Sequence, residues 1–221
     1  MKIALVLFDG ITALDVVGPY EVLSRVPGAE VVFAGPRAGL ARTDNRALGL
    51  QVDVALADVH HADVLLVPGG YGVDALIADP QILADLRRLD AKTRFTTSVC
   101  TGALVLGAAG LLQGLEATTH WAYLEALARY GATPVSQRVV WQGRVVTAAG
   151  VSAGIDMALA LAAQLAGDDV ARGIQLAIEY DPEPPFHDGH PRSAAPELVE
   201  RVRSANAARR AARTAQNQAC R

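Results

Sequence analysis

Cys100 stands in TTSVCTGALVLGAAG, residues 96–110, where a β-branched run gives way to small, helix-forming residues. The chain has only two cysteines. A thiol at a strand-to-helix joint sits where a nucleophile is presented, on a sharp turn beside the free N–H groups of the following helix. That position favours thiolate over thiol and leaves the Thr101 amide as one donor for a developing anion. Gly102 and Ala103 are small enough for the turn to pack against a sheet. A buried, inert core thiol is the competing reading.

A thiolate needs a proton-transfer partner. Asp15, in ITALDVVGPYEVL, is flanked by Leu14, Val16 and Val17, and an apolar setting raises a carboxyl pKa toward neutrality. The alternative is a helix N-cap. Glu21 is the rival acid and reads as surface. His120, in ATTHWAYLEAL, reads either as a partner of Cys100 or as a residue of the cap region. The pairs His60-His61 and His187/His190 lie in polar turns without a zinc spacing. Pro68-Gly69-Gly70, after the apolar VLLV, permits close backbone approach, and the Gly70 amide is expected to complete an anion hole. Gly70-Tyr71-Gly72 lacks the third glycine and the distal acid of a dinucleotide fingerprint. In TAAGVSAGIDMALALAAQL, Val151 and Ser152 begin a helix, with Ser152 as N-cap and Asp156 as first-turn acid. The same segment also suits a wall of the cysteine pocket.

These residues require a scaffold that gathers loops at one edge. Strands are expected at Lys2–Phe8, Glu30–Ala34, Val64–Val67 and Arg94–Val99. Ala4–Phe8 and Val64–Val67 lack polar alternation, as in parallel strands covered on both faces. Helices are expected near Asp15–Val26, Pro80–Lys92, Thr101–Ala109, Trp121–Tyr130 and Val151–Ala166. The βαβα order predicts an α/β parallel-sheet sandwich, in which ligands bind at the carboxyl ends of the strands. Val139–Trp141 and Arg144–Thr147, split by Gln142-Gly143, predict an added edge hairpin, and Leu40–Val52 a second small one. The expected division is an α/β domain over 1–180 and a Pro-rich connector with a C-terminal helix over 181–221. Asp181-Pro182-Glu183-Pro184-Pro185 cannot continue a helix. In the Arg/Ala-rich tail, Arg209, Arg210 and Arg213 read as a solvated face, with a partner subunit as the alternative. Cys220 reads as incidental.

A formal charge of −3 with both signs interspersed gives no case for nucleic acid or an anionic membrane. No apolar run approaches the ~20 residues of a bilayer span. Two cysteines make no disulfide framework, so a reduced, cytoplasmic protein is expected.

LFDGITALDVVGPYEVL, DVLLVPGG and TSVCTGALVLGAAGLLQGLEATTHW together resemble the ThiJ/PfpI superfamily, a likeness that runs through AAGVSAGIDMALAL to about residue 165. The resemblance implies a flavodoxin-like fold of the class I glutamine-amidotransferase-like type. IQLAIEYDPEPPFHDGHPRSA and the Arg/Ala-rich end are similar to its isonitrile (isocyanide) hydratase subgroup. The central motifs also occur in AraC-type regulators, whose helix-turn-helix extension is missing here. PfpI-type hydrolases carry His after the cysteine, where this chain has Thr101, which weighs against peptidase-like activity. The resemblance implies a nucleophilic Cys100, Asp15 as its proton-transfer partner and Thr101 lining the site. It further implies no cofactor, no metal, and a homodimer with sites near the interface. The expected reaction is hydration of an isonitrile to an N-substituted formamide. The alternatives are a ligand-sensing regulator, or a glyoxalase-like or amide-hydrolysing enzyme.

Overall fold

A computed structural model describes residues 1–219, with side chains through Ala212. The expectations for Arg213 and Cys220 therefore lie outside the described side chains and residues. The chain begins β1 (Lys2–Val6), α1 (Ala13–Leu23), β2 (Glu30–Gly35), β3 (Gly39–Arg42), β4 (Gly49–Val52) and β5 (Val54–Ala55). There follow β6 (Val64–Val67), α2 (Val73–Ile77), α3 (Pro80–Asp90), β7 (Phe95–Val99) and α4 (Gly102–Ala108). The remainder comprises β8 (Glu116–Ala117), β9 (Thr133–Pro134), β10 (Val139–Gln142), β11 (Val145–Ala148), α5 (Ala153–Ala166), α6 (Asp168–Ala177) and α7 (Pro196–Ala219).

The main sheet runs β10-β11-β7-β6-β1-β2-β5, and every pairing in it is parallel except β10 with β11. β6 is wholly buried as Val64-Leu65-Leu66-Val67, the apolar run required of a strand covered on both faces. The expected edge hairpin is the β10–β11 pair, turning at Gly143 (φ 60°). The second small hairpin is β3–β4. α1 and α5 pack together against one face; on that helix pair Gly18 lies so close to Ile155 that a Cβ there would crowd it. α3 starts on Asp79, whose side chain accepts from the amides of Gln81 and Ile82, with Pro80 at the first helical position.

Three expectations about elements are corrected. Trp121–Tyr130 is a ten-residue 3-10 helix rather than an α-helix, ending on the left-handed Gly131. Ser152 occupies the N-cap position of α5 without capping it; its hydroxyl instead accepts from Arg138, and Asp156 pairs with Arg138 and with the Tyr180 hydroxyl. α6 was not expected, although Gly167-Asp168-Asp169 followed by Val170 and Ile174 is a start signal with a one-turn apolar repeat.

β1 leads outward to β2 and β5 in one direction, while β6, β7 and β11 extend the sheet in the other. The carboxyl ends of β1, β6 and β7 therefore meet at the topological switch of an open parallel sheet, where connecting loops diverge and leave a crevice.

Candidate active site

Each of those three strands delivers one part of the site. β7 ends at Val99, and Cys100 follows with φ 56°. A non-glycine residue in the left-handed region is rare and must be held there by its surroundings. The Cys100 N–H donates to the carbonyls of Ala148 (3.1 Å) and Ala149 (3.0 Å), and its carbonyl accepts from the Thr119 hydroxyl at 2.6 Å. β11 and the segment before the 3-10 helix thus clamp the elbow from both sides. Gly102 seats the first turn of α4 on β6, since any Cβ there would run into the Val67 carbonyl. The expected elbow is present, but the side chain is not exposed as such a turn suggests: Cys100 is 6 % accessible.

Asp15 is the third residue of α1 and not its N-cap, a position occupied by Thr12, which makes no side-chain cap. Its carboxyl is fully buried. Oδ2 accepts from the Gly69 amide at 2.9 Å, whereas among the described residues none donates to Oδ1 within hydrogen-bond geometry. Burial pushes the pKa up to about 7, against the opposing pull of the Gly69 amide and the Cys100 thiol. The expectation of a poised carboxyl at the strand edge therefore agrees with the geometry. Burial also drives the Cys100 thiol well above its ordinary value, and the neighbouring Asp15 charge adds to this. Hydrogen bonds from the amides of Thr101 and Val151 pull the other way without prevailing. The preference for thiolate expected from the helix terminus is thus opposed by desolvation, which works against the ionised sulfur.

The glycine pair plays a different part from the one expected. The Gly70 amide donates to Thr101 Oγ1 at 3.0 Å, so it is already engaged and is not a free anion donor. The Gly69 amide is committed to Asp15. The donors directed at sulfur are the amides of Thr101 and Val151, one from the elbow and one from the loop before α5. Gly69 has to be glycine because a Cβ would approach the Thr101 nitrogen to 2.5 Å and Asp15 Oδ2 to 2.9 Å. Gly70 (φ 133°) passes so near Gly10 and Thr12 that a side chain has no room.

A cavity of about 180 Å³ opens over Cys100, lined by Thr12, Asp44, Tyr71, Tyr123, Asn206 and Arg210 as well as Gly70, Val73, Thr101, His120 and Val151. His120 reaches this cavity, but its Nδ1 accepts from the Ala122 amide, it has no hydrogen bond to Cys100, and burial lowers its pKa. That makes it a capping wall residue. Glu21 pairs with Arg25 at the surface as expected, and His60, His61 and His187 are exposed. Arg210 departs from the solvated face: it pairs with Asp74 and lies over the Tyr123 ring, 4.9 Å from its centroid. Tyr71, Tyr123, Asn206 and Arg210 carried no local signal, since each joins the site through partners remote in sequence. Among the described residues, no group of three or more His, Cys, Asp or Glu is placed to hold a metal, and no helix is long and apolar enough to cross a membrane.

Comparison with known proteins places this geometry in context. The DJ-1/PfpI family model matches residues 1–164. Isonitrile hydratase of Pseudomonas putida is 45 % identical over 203 residues, covering 92 % of this chain and 89 % of that protein. The crystal structure of a ThiJ/PfpI family protein from Pseudomonas syringae superposes with a TM-score of 0.91 at 34 % identity, covering 95 % of this chain and 87 % of the other. An HTH-type transcriptional regulator, CdhR of Pseudomonas aeruginosa, is 33 % identical over 137 residues, which is 61 % of this chain but 39 % of the regulator.

Proposed function

This chain belongs to the DJ-1/PfpI family, and from that premise we propose that it hydrates isonitriles, R–N≡C, to N-substituted formamides through a covalent bond to Cys100. The observation that carries the reading is the fully buried Asp15 carboxyl, its pKa pushed up by burial, beside a buried thiol at a left-handed elbow. The similarity to isonitrile hydratase supports the substrate class.

The terminal isonitrile carbon carries a lone pair, so attack is productive only when that carbon is protonated as sulfur bonds to it. With Asp15 ionised, one proton resides between the two groups, on sulfur at rest. The carboxylate takes it from Sγ and passes it to the carbon while Sγ forms the C–S bond. The product is the thioimidate R–N=CH–S–Cys100, and Asp15 is again ionised. Asp15 then removes a proton from water as the hydroxyl adds to the thioimidate carbon and delivers that proton to the nitrogen, which leaves the carboxylate ionised again. Collapse of R–NH–CH(OH)–S expels sulfur, which regains a proton, and releases R–NH–CHO. Sulfur holds negative charge only transiently, facing the Thr101 and Val151 amides. No cofactor or metal enters these steps.

Incubation with cyclohexyl isonitrile, following N-cyclohexylformamide by NMR, is the direct test. Turnover by the wild type, its loss in Cys100→Ala, and a peptide mass on Cys100 increased by one substrate molecule are expected. More than a few per cent of activity in Cys100→Ala would remove the covalent route. Tight binding without turnover would favour the regulator-like alternative. Family resemblance also implies a homodimer, and a solution mass near twice 23.1 kDa is the expected result.

A further inference from the structure

The C-terminal helix lies over the Cys100 cavity. From residue 201 to 212 every position on α7 is exposed except Asn206 and Arg210, which are half-buried and one helical turn apart. Leu198 and Val199, two turns earlier, are also half-buried, so the contacting stripe runs along the helix. Both Asn206 and Arg210 line the cavity. Each is fastened to the loop and helix that follow β6. The Tyr71 hydroxyl donates to Asn206 Oδ1 at 3.1 Å, and the Arg210 guanidinium makes a two-pronged pair with Asp74, with Nε to Oδ2 at 2.9 Å. A second cation–aromatic contact, Arg203 over Trp121 at 5.7 Å, fixes the helix farther along. Beneath Arg210 lies the Tyr123 ring, which also lines the cavity.

We propose that α7 is the substrate-selecting wall of the pocket, latched by Arg210 on Asp74 and Asn206 on Tyr71, and that it restricts the site to compact isonitriles without a negative charge, whose substituent is about one small ring. The substrate class rests on the proposed hydratase reading; the wall itself does not. Cavity size sets the limit. The space over Cys100 is about 180 Å³, comparable with the roughly 150 Å³ that holds benzene, and it opens to solvent on one side, so it limits the part of the substituent seated against α7. Charge sets the exclusion: Arg210 is already matched by Asp74, and the Asp44 carboxyl on the other side disfavours an anionic substituent. Arg210 acts through the position of α7 and is a positioning residue, not a catalytic one.

Two measurements on full-length protein carrying Cys220→Ser test this. The first is the ratio of kcat/KM for 2-naphthyl isonitrile to that for tert-butyl isonitrile. Arg210→Ala is expected to raise the ratio about tenfold, chiefly by lowering KM for the larger substrate, while Arg210→Lys restores part of the selectivity. The second is the ratio of Cys100 alkylation rates by N-(1-pyrenyl)maleimide and iodoacetamide, which needs no hydratase activity. It is expected to rise about tenfold in Arg210→Ala and in Asp74→Asn. Arg144→Ala breaks an ion pair with Asp90 that is remote from the cavity, and so controls for general destabilisation; it should leave both ratios unchanged. Unchanged alkylation ratios in the Arg210 and Asp74 variants, or an equal rise in Arg144→Ala, overturn the wall. A raised alkylation ratio without any isonitrile turnover upholds the wall and rejects the substrate class.

Discussion

Two ionisable groups, each disfavoured as an anion by burial, are neighbours at the carboxyl edge of the sheet: Cys100 lines the cavity, and Asp15 is fully buried behind that lining. Asp15 should govern the pH profile. Below about pH 7 both Asp15 and Cys100 are protonated, and the carboxylate that must relieve sulfur of its proton is missing. kcat/KM should therefore rise as pH increases through about 7 and then level off, measured with initial rates across pH 5–9. A fall through that range would mean the neutral acid is the working form. Asp15→Asn should slow chemistry by roughly 10²–10⁴, the scale of a lost acid–base group. The same carboxyl leaves a mark on stability of the opposite sense. Because its folded pKa lies above the unfolded value near 3.8, the native state binds the extra proton between those limits. Stability contributed this way is complete at low pH and is lost as pH rises toward 7, on the order of 4 kcal/mol at most. Asp15→Asn should accordingly raise the unfolding midpoint at pH 8 while leaving it nearly unchanged at pH 4. Equal shifts at both pH values would show that burial does not penalise the ionised carboxyl. Cys100 and Asp15 were both candidates in the sequence, a thiol at a strand–helix joint and an acid among apolar neighbours. The acid fitted an N-cap as well, however, and their pairing was implied by the family resemblance rather than by local pattern. The balance between them was not legible, since desolvation depends on everything packed around both.

The elements that position this pair are tuned at their joints. β6, the Pro68-Gly69-Gly70 loop and the start of α4 touch through positions where only hydrogen fits, so a single methyl group at Gly69 has to displace either the Thr101 backbone or the Asp15 carboxyl. Gly69→Ala should cost about 1–3 kcal/mol as an overpacked site. It should also reduce kcat by at least tenfold through movement of Asp15, with a smaller change in KM. Denaturant unfolding together with steady-state kinetics checks both; an intact kcat would mean the carboxyl does not need the Gly69 amide. Here sequence reading reached the right loop and the wrong role. A glycine pair after a buried strand announces close approach, but whether the Gly70 N–H is free depends on the Thr101 hydroxyl, 31 residues away in sequence. Val151, expected with Gly69 and Gly70 in the oxyanion wall of the pocket, is the one of the three whose amide is directed at sulfur. Strand and helix periods were legible because they repeat locally. The 3-10 form of Trp121–Tyr130 was not, because its apolar spacing fits either helix type.

At the scale of the molecule, two kinds of cohesion coexist. The sheet and its covering helices form one buried body, and polar groups inside it are tied together: Asp90 is buried, accepts from Thr96 Oγ1 at 2.7 Å, and pairs with Arg144. α7 instead holds on through a few side-chain contacts with exposed residues between them, an arrangement that opens locally before the rest unfolds. Arg144→Ala leaves the Asp90 carboxylate buried without its cation. Because Arg144 is itself 45 % exposed, its screened contribution is about 1–3 kcal/mol rather than that of a fully buried pair. At roughly 2–4 °C per kcal/mol for a chain of this size, the melting temperature should fall by about 2–12 °C. Arg210→Ala should lower it by less than about 2 °C, since the latch it breaks belongs to the outer helix. Circular dichroism melts of the two variants at pH 7.5 measure this directly, and hydrogen exchange should find α7 amides exchanging ahead of those in β6 and β7. An equal loss of melting temperature in both variants would make α7 part of the same cooperative unit as the sheet. α7 would then be a permanently fixed wall of the Cys100 cavity, selecting by shape without opening ahead of the sheet.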